Sequence, residues 1–123
     1  QHLGMQSAAA DALQACEAAL RPGSTTGDVF DAHARTLDAA GLGAHRLNAC
    51  GYSLGARYTP CWMDEFMFYE RAETEIRPGM VFFLHMILMD SDSQTAMTLG
   101  RTSLVTETGS EPLGRMPLEL VIR

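Results

Sequence analysis

The sequence predicts an α+β domain in which two N-terminal helices pack on an antiparallel β-sheet. Three observations carry that reading. Apolar residues recur at helical spacing up to about residue 40. The period then changes, and the rest of the chain breaks into apolar runs separated by turn residues. At 123 residues, with 46% apolar and 20% charged, the chain has the size and composition of one ordinary globular domain, spanning 1–123.

The first helix is expected over residues 3 to 20, where Leu3, Ala9, Leu13, Cys16 and Leu20 share a face and alanines favour helix. Arg21-Pro22-Gly23 stops it. Thr25 with Asp28 three residues on resembles a capping box and opens a second helix, Thr26 to Ala40, ended by Gly41-Leu42-Gly43. His45 to Gly51 reads as a short strand. Residues 52 to 70 mix aromatics, Pro60 and acids without a sustained period, and read as a long irregular loop. Pro78-Gly79 is a turn, and Met80 to Met89 is an apolar run of buried-strand type. Asp90-Ser91-Asp92-Ser93 is a hairpin turn rather than a cation loop, being too short for an EF-hand. Further strands are expected at Ala96 to Leu99, Ser103 to Thr106 and Leu118 to Ile122.

A net charge of −6 argues against nucleic acid or an anionic membrane as partner. No apolar run approaches the ~20 residues that span a bilayer. Cys16, Cys50 and Cys61 are odd in number and lack a CxxC spacing, so a disulfide framework or a zinc knuckle is not expected. Free thiols fit a reducing cytoplasm.

Three blocks point further. Gly51-Tyr52-Ser53-Leu54-Gly55, Pro78-Gly79-Met80-Val81-Phe82 and Val105-Thr106-Glu107-Thr108-Gly109 follow one another after the Pro22-Gly23 turn. In this order they resemble the C-terminal half of the creatinase/aminopeptidase P/prolidase (peptidase M24, pita-bread) family. The resemblance covers nearly the whole chain and implies half of a pita-bread fold, with an N-terminal part of the catalytic domain expected ahead of Gln1. It also implies a hydrolase, a homodimer and a small-molecule or dipeptide-like substrate. Family members typically hold two divalent ions with carboxylates and one His, polarising a carbonyl and generating hydroxide.

This chain departs from that ligand pattern. The family's His position is Tyr52, its first Glu position is His85, and its second falls at Gly100, beside Arg101. A tyrosine hydroxyl with pKa near 10 is a poor ligand for these metals, glycine offers no donor, and arginine repels a cation. The usual pair of metal ions is therefore not expected to bind in the family manner. The Gly-Tyr-Ser-x-Gly block with Tyr58, Pro60 and Trp62 downstream is similar to ectoine hydrolase-like members. Creatinase, another branch, works without metal and uses a histidine as acid/base.

The resemblance implies His85 as the catalytic group, with Tyr52, Tyr58, Trp62 and Arg101 binding substrate. A plainer reading stands beside each. His85 in an apolar strand also fits a hydrogen-bonded core residue, and strict alternation puts it on one face with Phe83 and Ile87. Tyr52 could donate to a substrate carbonyl or carboxylate, or pack after a turn. Tyr58 and Trp62, with Phe66, Phe68 and Tyr69, could wall a site for a cationic group or pack a core or dimer surface. Arg101 could clamp a carboxylate, or be a solvated strand residue. The leading expectation is a hydrolase cleaving a C–N bond in a small amino-acid-like substrate, this chain being inactive alone. The alternative is a non-catalytic binding module on the same fold; a third is a free-standing α+β domain outside the family.

Overall fold

A computed structural model describes residues 1–55, 57, 58 and 60–122. Two helices, α1 (His2–Ala19) and α2 (Thr26–Ala39), lie against one face of a five-stranded antiparallel sheet. The strands are β1 (Ala49–Leu54), β2 (Met63–Tyr69), β3 (Val81–Asp90), β4 (Thr95–Val105) and β5 (Ser110–Pro112), in spatial order β2-β1-β3-β4-β5. This is the expected α+β architecture.

Helix α1 buries Met5, Ala8, Ala9, Ala12, Leu13 and Cys16, one stripe at spacings of three and four. The three alanines keep that stripe thin, so the helix lies close to both α2 and the β3–β4 ladder. The capping box opening α2 forms in full: Asp28 N–H donates to Thr25 Oγ1 (3.2 Å) and Thr25 N–H to Asp28 Oδ2 (2.8 Å). Gly27 donates its backbone N–H to Ala72 O at 2.9 Å, and a Cβ there would come within 2.7 Å of that oxygen. Only glycine lets α2 dock this closely on the segment after β2.

The strands differ from the sequence expectation in four places. The first runs Ala49–Leu54, four residues later than expected; of the His45 to Gly51 segment, Arg46 makes an isolated bridge to Leu88. Residues 63–69, read as loop, are strand β2. Two register shifts against β1 and acids at Asp64 and Glu65 break the two-residue period that would have marked it. The segments at Ala96 and Ser103 are one strand, since β3 pairs β4 without a break from Val81↔Leu104 to Asp90↔Thr95. The last strand is Ser110–Pro112, not Leu118 to Ile122. Leu118 instead packs on the core and accepts a hydrogen bond from Gln6 through its carbonyl.

The core lies between the helices and the sheet. Along β3, Phe82, Leu84, Met86 and Leu88 are fully buried toward the helices, and Phe83, His85 and Ile87 point to the opposite face. Among the described residues Thr26, His33 and Ser53 bury side-chain polar atoms without a hydrogen-bond partner, and His33 is the titratable one. His33 on α2 is buried and neither ring nitrogen has a hydrogen-bond partner. Burial and the nearby Arg46 guanidinium push its pKa down to about 4, against a weaker upward pull from Asp38. In the unfolded chain it titrates near 6.5, so between those values only the unfolded chain binds the proton. The His33 share of stability is therefore complete above pH 6.5 and is lost as pH falls toward 4, by about 3 kcal/mol over the span. Urea unfolding from pH 7 to 4 should show this slope in the wild type, and His33→Leu should remove it and raise stability at pH 4 to 5.

Candidate active site

The face of the sheet away from the helices carries a row of rings. Tyr52 on β1 pairs directly with Phe83 on β3, their ring centroids 5.5 Å apart. Phe83 in turn meets the His85 imidazole at 5.1 Å, inclined by 56°. Trp62, just before β2, donates its indole N–H to the Tyr52 hydroxyl at 3.1 Å. On the far side His85 Nε2 lies 2.7 Å from Thr98 Oγ1 on β4. The sequence thus brings Trp62, Tyr52 and His85 into one connected row. Burial pushes the His85 pKa below its ordinary value, so the ring is neutral at neutral pH.

Two glycines make the row possible. Gly51 has φ +152°, and a Cβ there would clash with Phe83 O and press on the Phe68 ring, so β1 comes close to β3 only with glycine at this position. Gly100 stands directly across the ladder from His85. A Cβ on Gly100 would run into the Phe83 ring, which occupies the space a side chain would need. A shallow cavity of about 150 Å³ opens beside the row, lined by Tyr52, Met63, Met67, His85 and Ile87 among others. A larger hollow of about 270 Å³ lies beside Ser53, Arg57, Asp64 and Phe66. Of the residues the sequence singled out for a site it holds only Phe66, and Arg57 there pairs with Asp64 (3.3 Å) and Glu65 (3.7 Å). The His85 face is the one with an unspent titratable group.

Two expected site residues fall elsewhere. Arg101 pairs with Leu84, so its side chain leaves on the helix side of β4. There it donates two hydrogen bonds to Glu17 of α1, at 2.8 and 2.5 Å, with both side chains largely buried. Ser103 Oγ also donates to that carboxylate. The guanidinium is thus committed to Glu17 on the helix side, while Arg101 also borders a hollow of about 310 Å³ together with Phe83 and Gly100. Tyr58 stands on the β1–β2 loop, 82% exposed, and enters none of the ring contacts among the described residues. Phe83 lies on the His85 face as alternation predicts, and Thr98, which also holds the imidazole, was missed. Extending the Asp90 turn residue by residue along both strands would have placed Thr98 and Gly100 around His85.

Residues 5–107 match metallopeptidase family M24. The chain belongs to that family. It is 33% identical over 114 residues to the uncharacterised hydrolase/peptidase y4tM of Sinorhizobium fredii, a match over 92% of this chain and 28% of that protein. The fold superposes on dipeptidase PepE from Mycobacterium ulcerans with TM-score 0.85 and 26% identity, covering 94% of this chain and 30% of that one. It superposes on the Xaa-Pro dipeptidase from Bacillus anthracis with TM-score 0.87 and 17% identity, covering 97% and 32%. The chain therefore spans about a third or less of the length of the relatives it matches, and within them its fold is a fragment of the pita-bread catalytic domain.

The family resemblance puts three metal-ligand positions of M24 members at Tyr52, His85 and Gly100. Among the described residues no three His, Cys, Asp or Glu side chains gather in a way that could hold an ion. Of the three ligand positions, Tyr52 offers a hydroxyl already engaged by Trp62, and His85 offers one imidazole nitrogen beside another tied to Thr98. Gly100 offers nothing, and a carboxylate there would have to displace the Phe83 ring.

The Arg101–Glu17 pair has a measurable consequence. Arg101→Met strands the Glu17 carboxylate and should lower the unfolding free energy by roughly 2 to 4 kcal/mol, the upper range being reduced by residual solvent contact. Substrate KM of the full-length protein should change less than about twofold. A variant with unchanged urea stability and a strongly raised KM would return Arg101 to the site.

Proposed function

We propose that the full-length protein is a hydrolase that cleaves a C–N bond in a small amino-acid-like substrate, a peptide, amidine or cyclic amidine, with His85 as its proton-transfer group. The observation that carries this reading is the His85–Gly100 pair. Across the two strands, at positions where the family resemblance implies carboxylates, this chain has one neutral imidazole facing a glycine whose side-chain space the Phe83 ring fills. Membership in M24 and the likeness to a dipeptidase support hydrolysis as the reaction class. The altered ligand positions favour the creatinase or ectoine hydrolase-like branch over a dinuclear peptidase.

The chemistry follows from the atoms present. A neutral imidazole takes a proton from an attacking water and returns it to the leaving nitrogen at neutral pH. The Tyr52 hydroxyl accepts from Trp62, which leaves its own proton to donate to a substrate oxygen. The exposed Trp62 ring and the Met63–Met67 side hold the body of the ligand by contact. This segment supplies one wall and is inactive alone; further acids or bases come from the rest of the protein. We place the enzyme in the cytoplasm, in keeping with three free cysteines, and as a homodimer by its family likeness.

The alternative, a binding module without catalysis, draws on the same loss of ligand positions. The two readings separate on the full-length protein assayed against dipeptides, Xaa-Pro dipeptides and amidines. Turnover that survives exhaustive chelation, with kcat falling about 10²- to 10⁴-fold in His85→Gln, is expected. Two tightly bound divalent ions per subunit, required for turnover, would overturn the metal-altered site. Substrate binding without turnover, weakened by Tyr52→Ala, would establish the module.

A further inference from the structure

The His85 imidazole has one hydrogen-bond partner among the described side chains, and it is not a carboxylate. Thr98 sits opposite Ile87 in the ladder, and Gly100 sits opposite His85. The Thr98 hydroxyl therefore reaches the ring along the diagonal, the second-nearest relation between facing strands. It can do so because Gly100 leaves no side chain in the way and the Phe83 ring fills the space on the other side. The imidazole is held between an aromatic face and a hydroxyl, with Nε2 2.7 Å from Thr98 Oγ1. Its second nitrogen, Nδ1, makes no hydrogen bond among the described residues.

We propose that Thr98 is the positioning residue for His85: its Oγ1 accepts the Nε2 proton, fixes the ring, and leaves Nδ1 as the nitrogen that handles the substrate's proton. This rests on the reading of His85 as the proton-transfer group. The logic is that of any histidine whose second nitrogen is tied: the anchored nitrogen selects the tautomer, and the free one does the chemistry. A hydroxyl in this role differs from a carboxylate. It orients the ring without adding a negative charge that would favour the imidazolium.

The test uses full-length protein labelled with ¹⁵N-histidine, compared with His85→Gln, Thr98→Val and Thr98→Ser. Wild type should show a slowly exchanging proton on a histidine Nε2 that vanishes in His85→Gln. Thr98→Ser should keep it and Thr98→Val, which matches threonine in shape, should lose it. With Thr98→Val, kcat should fall about tenfold at little-changed KM, and Thr98→Ser should restore most of it. Persistence of the Nε2 proton in Thr98→Val, or a wild-type ring protonated on Nδ1, overturns the proposal. Full turnover in His85→Gln refutes instead the proton-transfer role of His85, and the imidazole proton then still decides whether Thr98 holds the ring.

Discussion

The register of the β3–β4 ladder is the constraint on which the rest of this structure depends. Ten consecutive pairs join Val81–Asp90 to Thr95–Leu104. A slip of one residue would turn Leu84, Met86 and Leu88 away from the helices and drive His85 into the core. The turn fixes the register chemically. Asp90 Oδ1 accepts from the backbone of Asp92 and Ser93, its other oxygen accepts from Ser93 Oγ, and Gln94 takes φ 54°. Core and candidate site are the two faces of one pairing, so whatever secures the core also aims His85.

The helices secure that pairing from behind. Glu17 on α1 takes two bonds from Arg101 and one from Ser103, and its backbone carbonyl accepts from Ser110 Oγ. One helical residue thus touches β4 twice and β5 once. A carboxylate with its oxygens occupied and a guanidinium facing it can be held out of bulk water, whereas either alone would be costly there. The pair is better evidence for orientation than for net stability. It fixes where α1 lies across the ladder, while the alanine stripe fixes how closely.

Much of this was legible in the sequence, and the limits have physical causes. Both helices, the Thr25–Asp28 cap, the Pro78-Gly79 turn and the buried β3 strand follow from local chemistry that tertiary contacts did not override. Strand β2 escaped because its pairing with β1 shifts register twice, which removes the two-residue period. β4 looked interrupted because Gly100-Arg101-Thr102 is not apolar, yet a complete partner strand carries it through. Tyr52, Trp62 and His85 were legible as a set from the family blocks, and the structure brings them together. Arg101 is next to Gly100 in sequence, yet its side chain turns to Glu17, because neighbours on a strand face opposite ways. Phe83 shares its strand face with His85 by simple alternation, whereas Thr98 meets the ring only through cross-strand register.

The altered positions are also not independent of one another. With a carboxylate at residue 100, the Phe83 ring could not lie where it does, and Thr98 would compete with that carboxylate for the imidazole. A negative charge beside His85 would also raise its pKa and favour the imidazolium over the neutral ring. Glycine at 100 removes the charge, admits the ring and clears the diagonal to Thr98 in a single substitution. Histidine at 85 without glycine at 100 would lose the Phe83 ring that packs beside it. The His85–Gly100 pair is thus one physical unit, a neutral ring beside a hydroxyl, facing a glycine whose side-chain space the Phe83 ring fills.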